Sequence, residues 1–303
     1  MDTCPTLLLA ALLTLGCAPD FPMRPSAVAG ARVLAVQMEP AELPPGGVGR
    51  FSVLAVDPSG TLAAPRIAWS FCRAPRPVSS NTPVSPDCIV AATAAPSAAI
   101  AGSVLSAALP EGGCRVHGPE QAPGSERRAP EPDPSGGYYQ PLGVALDTEL
   151  AFGFARLRCA LADAPVRVAQ DFDARYQPNQ NPALDSLILR DASGAQTTRA
   201  APGAKLTIEA RWPSAARERY LRYDRRSGGL IEVEERLTLS WFVTGGALDA
   251  DQQRIEASSN ADGVRPNGWT APTEAAAVHL WVVLRDDRGG ITWDSMVVQV
   301  TAP

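Results

Sequence analysis

The residues able to do chemistry in this chain are few. Among 303 residues there are 2 histidines and 6 cysteines. General acid–base catalysis uses a group that titrates near neutrality, most often histidine. His279 falls in Val278-His279-Leu280-Trp281-Val282-Val283-Leu284, where it alternates with Leu280, Val282 and Leu284 and reads as a sheet-surface side chain. His117 sits beside Cys114 in a breaker-rich stretch. The sequence has no Gly-x-Ser-x-Gly elbow, phosphate loop, Gly-x-Gly-x-x-Gly or His-Glu-x-x-His. Carboxylates do come in pairs: Asp249 with Asp251, Asp171 with Asp173, Asp286 with Asp287, and the run Glu232-Val233-Glu234-Glu235. Two such groups can run a glycosidase, and loop carboxylates can bind calcium through oxygen. Asp286 and Asp287 are the calcium candidates. Their turn, Asp286-Asp287-Arg288-Gly289-Gly290, also suits a tight hairpin, because glycine tolerates positive φ. Of the 6 tryptophans, Trp69, Trp212 and Trp241 share faces with apolar neighbours and read as core. Trp269, Trp281 and Trp293 are left as a candidate contact surface. No cofactor is expected.

The cysteines speak of place. Leu7 to Leu15 is apolar apart from Thr14, the length of a signal-peptide segment and short of the about 20 residues that span a bilayer. It ends Thr14-Leu15-Gly16-Cys17, followed by Ala18. This resembles the lipobox of bacterial lipoproteins. In that family the small residue admits the protease and the thiol is acylated, so residues 1–16 are removed and Cys17 becomes the first residue. The resemblance implies a palmitate-bearing envelope lipoprotein. Ala18, in place of an acidic residue, points to the outer membrane. The plainer alternative is a secretory signal in which Cys17 is incidental.

Cleavage leaves Cys72, Cys88, Cys114 and Cys159. An even set in an oxidising compartment implies two disulfides, with three possible connectivities. The preferred set is Cys72–Cys88, a local clip worth roughly 3 kcal/mol, with Cys114–Cys159. The rival is a Cys72–Cys159 bridge between strands. The spacings do not suit zinc.

A net charge of −5 argues against nucleic acid as a partner. Lys205 is the lone lysine among 27 basic residues, which looks like genomic composition rather than a binding signal. The length suits two domains.

The elements that would hold these residues read as strands. Arg32–Met38, Phe51–Val56 and Ile67–Phe71 are separated by Pro44-Pro45-Gly46-Gly47 and Asp57-Pro58-Ser59-Gly60. The second half repeats the order. Leu184–Leu189 is followed by the turn Ala201-Pro202-Gly203, an alternating strand through Leu206, Ile208, Ala210 and Trp212, and Leu237–Val243 around Trp241. The Trp-bearing third strand resembles strand C of immunoglobulin-like sandwiches. The closing hairpin resembles those of PKD-like and cadherin-like modules. Both halves are similar to Ig-like pieces of uncharacterised bacterial lipoproteins.

The expected organisation is all-β. Signal peptide 1–16 and a flexible tether 17–30 precede an Ig-like sandwich 31–175 with an irregular insertion about 73–137. A linker 176–182 leads to a second Ig-like sandwich, 183–303. Ile89–Leu109 is uncharged but mostly Ala and Ser, too weakly apolar to cross a membrane. Gly112–Gly137 is expected as a loop, and Arg217–Arg226 as a solvated segment. The functional expectation is a lipid-anchored, non-catalytic structural or protein-interaction module of the cell envelope. Its partners would be the membrane, through the lipid, and an unknown envelope protein or glycan. A carbohydrate- or calcium-binding accessory module is the alternative. An envelope hydrolase comes third, and would need a histidine gathered with a carboxylate and a serine.

Overall fold

The computed structural model describes residues 24–77, 82–94, 98–120, 133–257 and 263–301. Cys17 and the expected signal peptide lie outside them. No helix among these residues is long and apolar enough to cross a membrane.

The first half folds as β1 (Arg32–Glu39), β2 (Glu42–Leu43), β3 (Val48–Asp57), β4 (Gly60–Thr61) and β5 (Arg66–Phe71). There follow α1 (Pro86–Ala94), β6 (Ala98–Ala101), β7 (Val104–Ala108), α2 (Gly113–His117), β8 (Gly137–Leu146), β9 (Glu149–Arg158) and α3 (Val166–Arg175). One sheet has the order β1-β3-β4, with β7 also on β3; the other is β2-β9-β8-β5-β6. Phe51, Val53 and Ala55 of β3 face Ile67, Trp69, Leu142, Val144 and Leu157 across the core.

The second half contains β10 (Ser186–Arg190), β11 (Arg199–Ala200), β12 (Lys205–Arg211), β13 (Arg219–Asp224), β14 (Gly229–Glu234) and β15 (Leu237–Val243). It closes with β16 (Ala247–Leu248), β17 (Gln252–Ile255), β18 (Val264–Thr270), β19 (Ala276–Asp286) and β20 (Ile291–Val300). Its sheets are β10-β12-β18-β16 and β11-β20-β19-β15-β17, and β13-β14 stands apart as a hairpin. The expected internal repeat is therefore topological. In each half the first, second and fifth main strands share a sheet, and the third lies beside the last two. A short strand pairs in parallel with the final one, β2 with β9 and β11 with β20. This is the immunoglobulin-like arrangement, with Trp69 and Trp241, each 2% exposed, at the middle of the third strand.

Two expectations need correction. The stretch 73–137 is not irregular throughout. It carries α1 and α2, and also β6 and β7, which extend one sheet and complete the other. Its strands are short and mostly Ala, whose small side chain gives little period-two contrast, so the pattern was faint. The described part of the tether, 24–30, is docked rather than free. Val28 N–H donates to the Val243 carbonyl (2.9 Å), Val243 N–H to the Ser26 carbonyl (2.9 Å), and Ser26 Oγ to Asp251 (2.6 Å). The segment thus occupies the edge of β15 beyond the point where β17 stops pairing. The linker is also packed, with Asn179 2% exposed.

The two sandwiches lie side by side, sheet on sheet. Leu34, Ala35, Leu54 and Val56 from the outer face of β1 and β3 meet Trp281 and Val283 from the outer face of β19, and Val28 joins them. Phe242, Ile291 and Trp293 flank the cluster. Both faces of β3 and β19 are therefore covered. That accounts for the unbroken apolar runs Val53-Leu54-Ala55-Val56 and Leu280–Leu284, which an alternating half-exposed strand would not show.

Candidate functional site

Among the described residues, the buried charged side chains Glu42, Arg156, Glu235, Asp286 and Arg288 converge at one end of this joint. Glu42 on β2 and Arg156 on β9 form an ion pair with Nε–Oε2 2.8 Å, their side chains 1% and 0% exposed. Arg156 also donates to Ser135 Oγ (3.0 Å), Asp133 Oδ2 (3.3 Å) and the Tyr139 hydroxyl (3.3 Å). Only glycine fits at 137, where a Cβ would lie 2.0 Å from the guanidinium carbon of Arg156. The Tyr176 hydroxyl donates to Glu42 Oε1. Asn179 carries the network across: its backbone N–H donates to Glu42 Oε2 (3.2 Å), its side-chain amide to Asp286 Oδ2 (3.3 Å).

On the far side, Asp286 Oδ1 accepts the N–H groups of Arg288 (2.9 Å) and Gly290 (2.8 Å) and so shapes the β19–β20 turn. Arg288 donates through Nε to Glu235 (2.7 Å), through Nη2 to Glu218 (2.8 Å) and through Nη1 to the Gln177 carbonyl (3.3 Å). Its guanidinium lies 4.6 Å over the Tyr220 ring. Two carboxylates, the buried Glu235 and the half-buried Glu218, thus share this cation. Burial, reinforced by Asp286, pushes the Glu235 carboxyl up to about 7, and burial raises Asp286 as well.

The segment expected to be solvated, 217–226, forms the clasp of the joint. The β13–β14 hairpin reaches the first sandwich, where Tyr223 N–H donates to the Pro134 carbonyl (2.7 Å) and Arg225 pairs with Asp163 (2.9 Å). Glu235, the last residue of the acidic run, is buried and closes this clasp by accepting the Glu218 N–H (2.9 Å).

Between the sandwiches opens a cleft of about 800 Å³, with Tyr138, Tyr139 and Phe154 on one wall, Asp287 and Gly289 on the other and His117 at its rim. Phe154 is 39% exposed there. A more apolar hollow of about 520 Å³ lies beside the first disulfide, lined by Trp69, Phe71, Leu105 and Phe152.

The structure separates the two histidines. His117 Nε2 lies 3.2 Å from the Cys72 carbonyl. His279 stacks on Trp281 at the opposite end of β19, with ring centroids 5.8 Å apart. The two histidines therefore do not share a site; His117 lines the cleft together with Asp133 and Asp287. Asp286 is held by N–H donors, and Asp287 pairs with Arg236 (3.0 Å). Among the described residues no group of three or more His, Cys, Asp or Glu gathers to hold a metal ion. The candidate contact surface also needs correction. Trp269, 1% exposed, lies in the second core with Nε1 donating to the Gly245 carbonyl (3.1 Å). Trp281, 1% exposed, donates to Thr61 Oγ1 (2.9 Å) across the joint, and Trp293 packs beside it. These rings are contacts, but Trp281 and Trp293 contact the chain's own first half. The cysteines pair as Cys72–Cys88 and Cys114–Cys159.

No protein-family model matches the chain, and no curated protein matches it. Among solved structures, the D00-D0 domain of intimin is 9% identical, over 88% of this chain and 100% of its own length, with a TM-score of 0.25. The Yersinia pseudotuberculosis adhesin InvE is 9% identical over 90% of this chain and 59% of its own, at 0.22. Domains 4 and 5 of the S-layer protein SbsC are 10% identical over 89% and 100%, at 0.20. Overlaps this slight carry nothing about activity or partners.

Proposed function

We propose that this chain is a cell-envelope lipoprotein, acylated on Cys17, whose two sandwiches act as one stiff, non-catalytic structural or protein-interaction module. The observation that carries this reading is the use made of the charged side chains. Glu42 pairs with Arg156 in the first sandwich and Glu235 with Arg288 in the second, and Asn179 of the linker bonds both Glu42 and Asp286, so that the buried charges serve to fix the angle between the sandwiches. Buried polar networks of this kind contribute specificity of arrangement more than net stability. An adaptor that positions a partner at a set distance from a membrane needs such a fixed angle.

The test has two parts. Cells fed an alkyne palmitate should label the chain, and Cys17→Ser should abolish the label and release the protein from the membrane fraction. Unlabelled, uncleaved protein in membranes would refute the anchor. Crosslinking in intact envelopes should then capture a partner, and Tyr139→Ala in the cleft should weaken that capture. The cleft also supports the accessory-module reading, because Tyr139 and Phe154 place aromatic faces beside the Asp287 carboxylate, a pattern suited to sugars. Glycan binding lost with Tyr139→Ala, in the absence of any protein partner, would favour it.

A further inference from the structure

The docked amino-terminal segment gives the molecule a polarity. Arg24 Nη1 donates to the Leu248 carbonyl (2.6 Å), Ser26 to Asp251, and the pair Ala27 and Val243 form a bridge. All of these lie where β15 ends. Val243 pairs with Leu280, near the start of β19. The β3–β4 turn of the first sandwich reaches the same end, where a Cβ on Gly60 would sit 2.7 Å from His279. The β8–β9 turn is there too, with Glu149 accepting the Val33 N–H (3.3 Å). The cleft, the Asp286–Gly290 turn, the packed linker and the β13–β14 clasp occupy the other end. The 11 residues of β19 connect the two ends, a separation of about 35 Å.

Cys17 precedes Arg24 by seven residues, a reach of at most about 25 Å. We propose that the protein stands on its membrane with the end formed by the Asp57–Gly60, Gly245–Gly246 and Pro272–Glu274 turns towards lipid, and with the intersandwich cleft presented away from it. This rests on the acylation of Cys17 proposed above. It reverses the simple expectation for a tethered two-domain chain, in which the first sandwich would be nearest the membrane and the second outermost. Here the anchor emerges from the second sandwich, and both stand side by side. The partner that fits the outward end is one that engages Tyr139, Phe154 and Asp287 from the side opposite the bilayer.

The inference is tested on the full lipidated chain with fluorophores on Glu274→Cys or Ser227→Cys, both exposed positions, at the near and far ends respectively. The protein is placed on phosphatidylcholine–phosphatidylglycerol vesicles carrying a headgroup-attached quencher. The Glu274 probe should be quenched several-fold more than the Ser227 probe. Equal or inverted quenching would overturn the orientation. A parallel sample, coupled through Cys17 to a maleimide lipid, separates the two readings. The same contrast there, with no vesicle binding by the cell-derived protein, refutes the acylation and leaves the orientation standing as a property of the fold. No contrast there refutes the orientation even if the natural lipid is found.

Discussion

The two ends of the joint between the sandwiches are made of opposite materials. At the anchor end, Trp281, Val283, Leu54 and Val56 exclude water, and the side-chain hydrogen bonds there run from Trp281 to Thr61 and from Arg285 to the Leu34 carbonyl. At the cleft end, Glu42, Arg156, Tyr176, Asn179, Asp286, Arg288 and Glu235 form a bonded chain with their charges out of water. Apolar burial is non-directional and scales with area, so the first end provides adhesion. A buried ion network gains little net stability but tolerates one geometry, so the second end provides alignment. The joint thus divides strength from direction.

The comparison can be broken at either end. The largest effect is expected from Trp281→Ala, which removes a fully buried ring. It should lower unfolding free energy by about 4 kcal/mol, read in urea titrations, with little dependence on pH. Arg288→Met comes next. It leaves Glu235 and Asp286 buried without their cation and should cost about 3 kcal/mol at pH 8, with a smaller loss below pH 5, where carboxylates can take up protons. A loss independent of pH would mean that the two ends do not differ as described.

Glu235→Gln sharpens the same point. Because burial raises the folded-state value of Glu235 to about 7 from an ordinary 4.5, its contribution is fully present below about pH 4.5 and is lost as pH rises through 7. Stability measured against pH should fall across that window in the natural chain, and the Gln variant should flatten this part of the profile. The smallest effect should come from Ser26→Ala, which loses one hydrogen bond to Asp251. About 1 kcal/mol is expected, together with faster hydrogen exchange at the Val243 amide, to which the Ser26 segment is bonded.

Much of each sandwich was legible in the residues alone. Period-two alternation through Leu206, Ile208 and Ala210, the turns at Pro44–Gly47 and Ala201–Gly203, and the apolar faces of Trp69 and Trp241 all marked strands that the structure contains. Of the connectivities left open by the sequence, the preferred one, Cys72–Cys88 with Cys114–Cys159, is the one present. The joint was not legible, for a physical reason. A strand buried on both faces loses its alternation, so Val53–Val56 and Leu280–Leu284 read as strong strands without saying what covered the second face. Trp281 was singled out for contact, but the contact is internal. Composition misled at 24–30, where Pro and Ala suggested slack chain, and gave no sign of how 176–182 packs. Ser26, Val28 and Asn179 are ordered there by partners more than a hundred residues away in sequence. Glu235 gave no local sign of burial, since its cation, Arg288, arrives from the far hairpin.

The most direct test of a single aligned block is the measurement of backbone residual dipolar couplings in one weakly aligning medium, fitted separately for strands of the first and second sandwich. The account predicts that both sets give the same alignment tensor in magnitude and orientation. Two tensors of different magnitude or direction would show that the sandwiches move independently, and the joint would then have neither of the roles assigned to it.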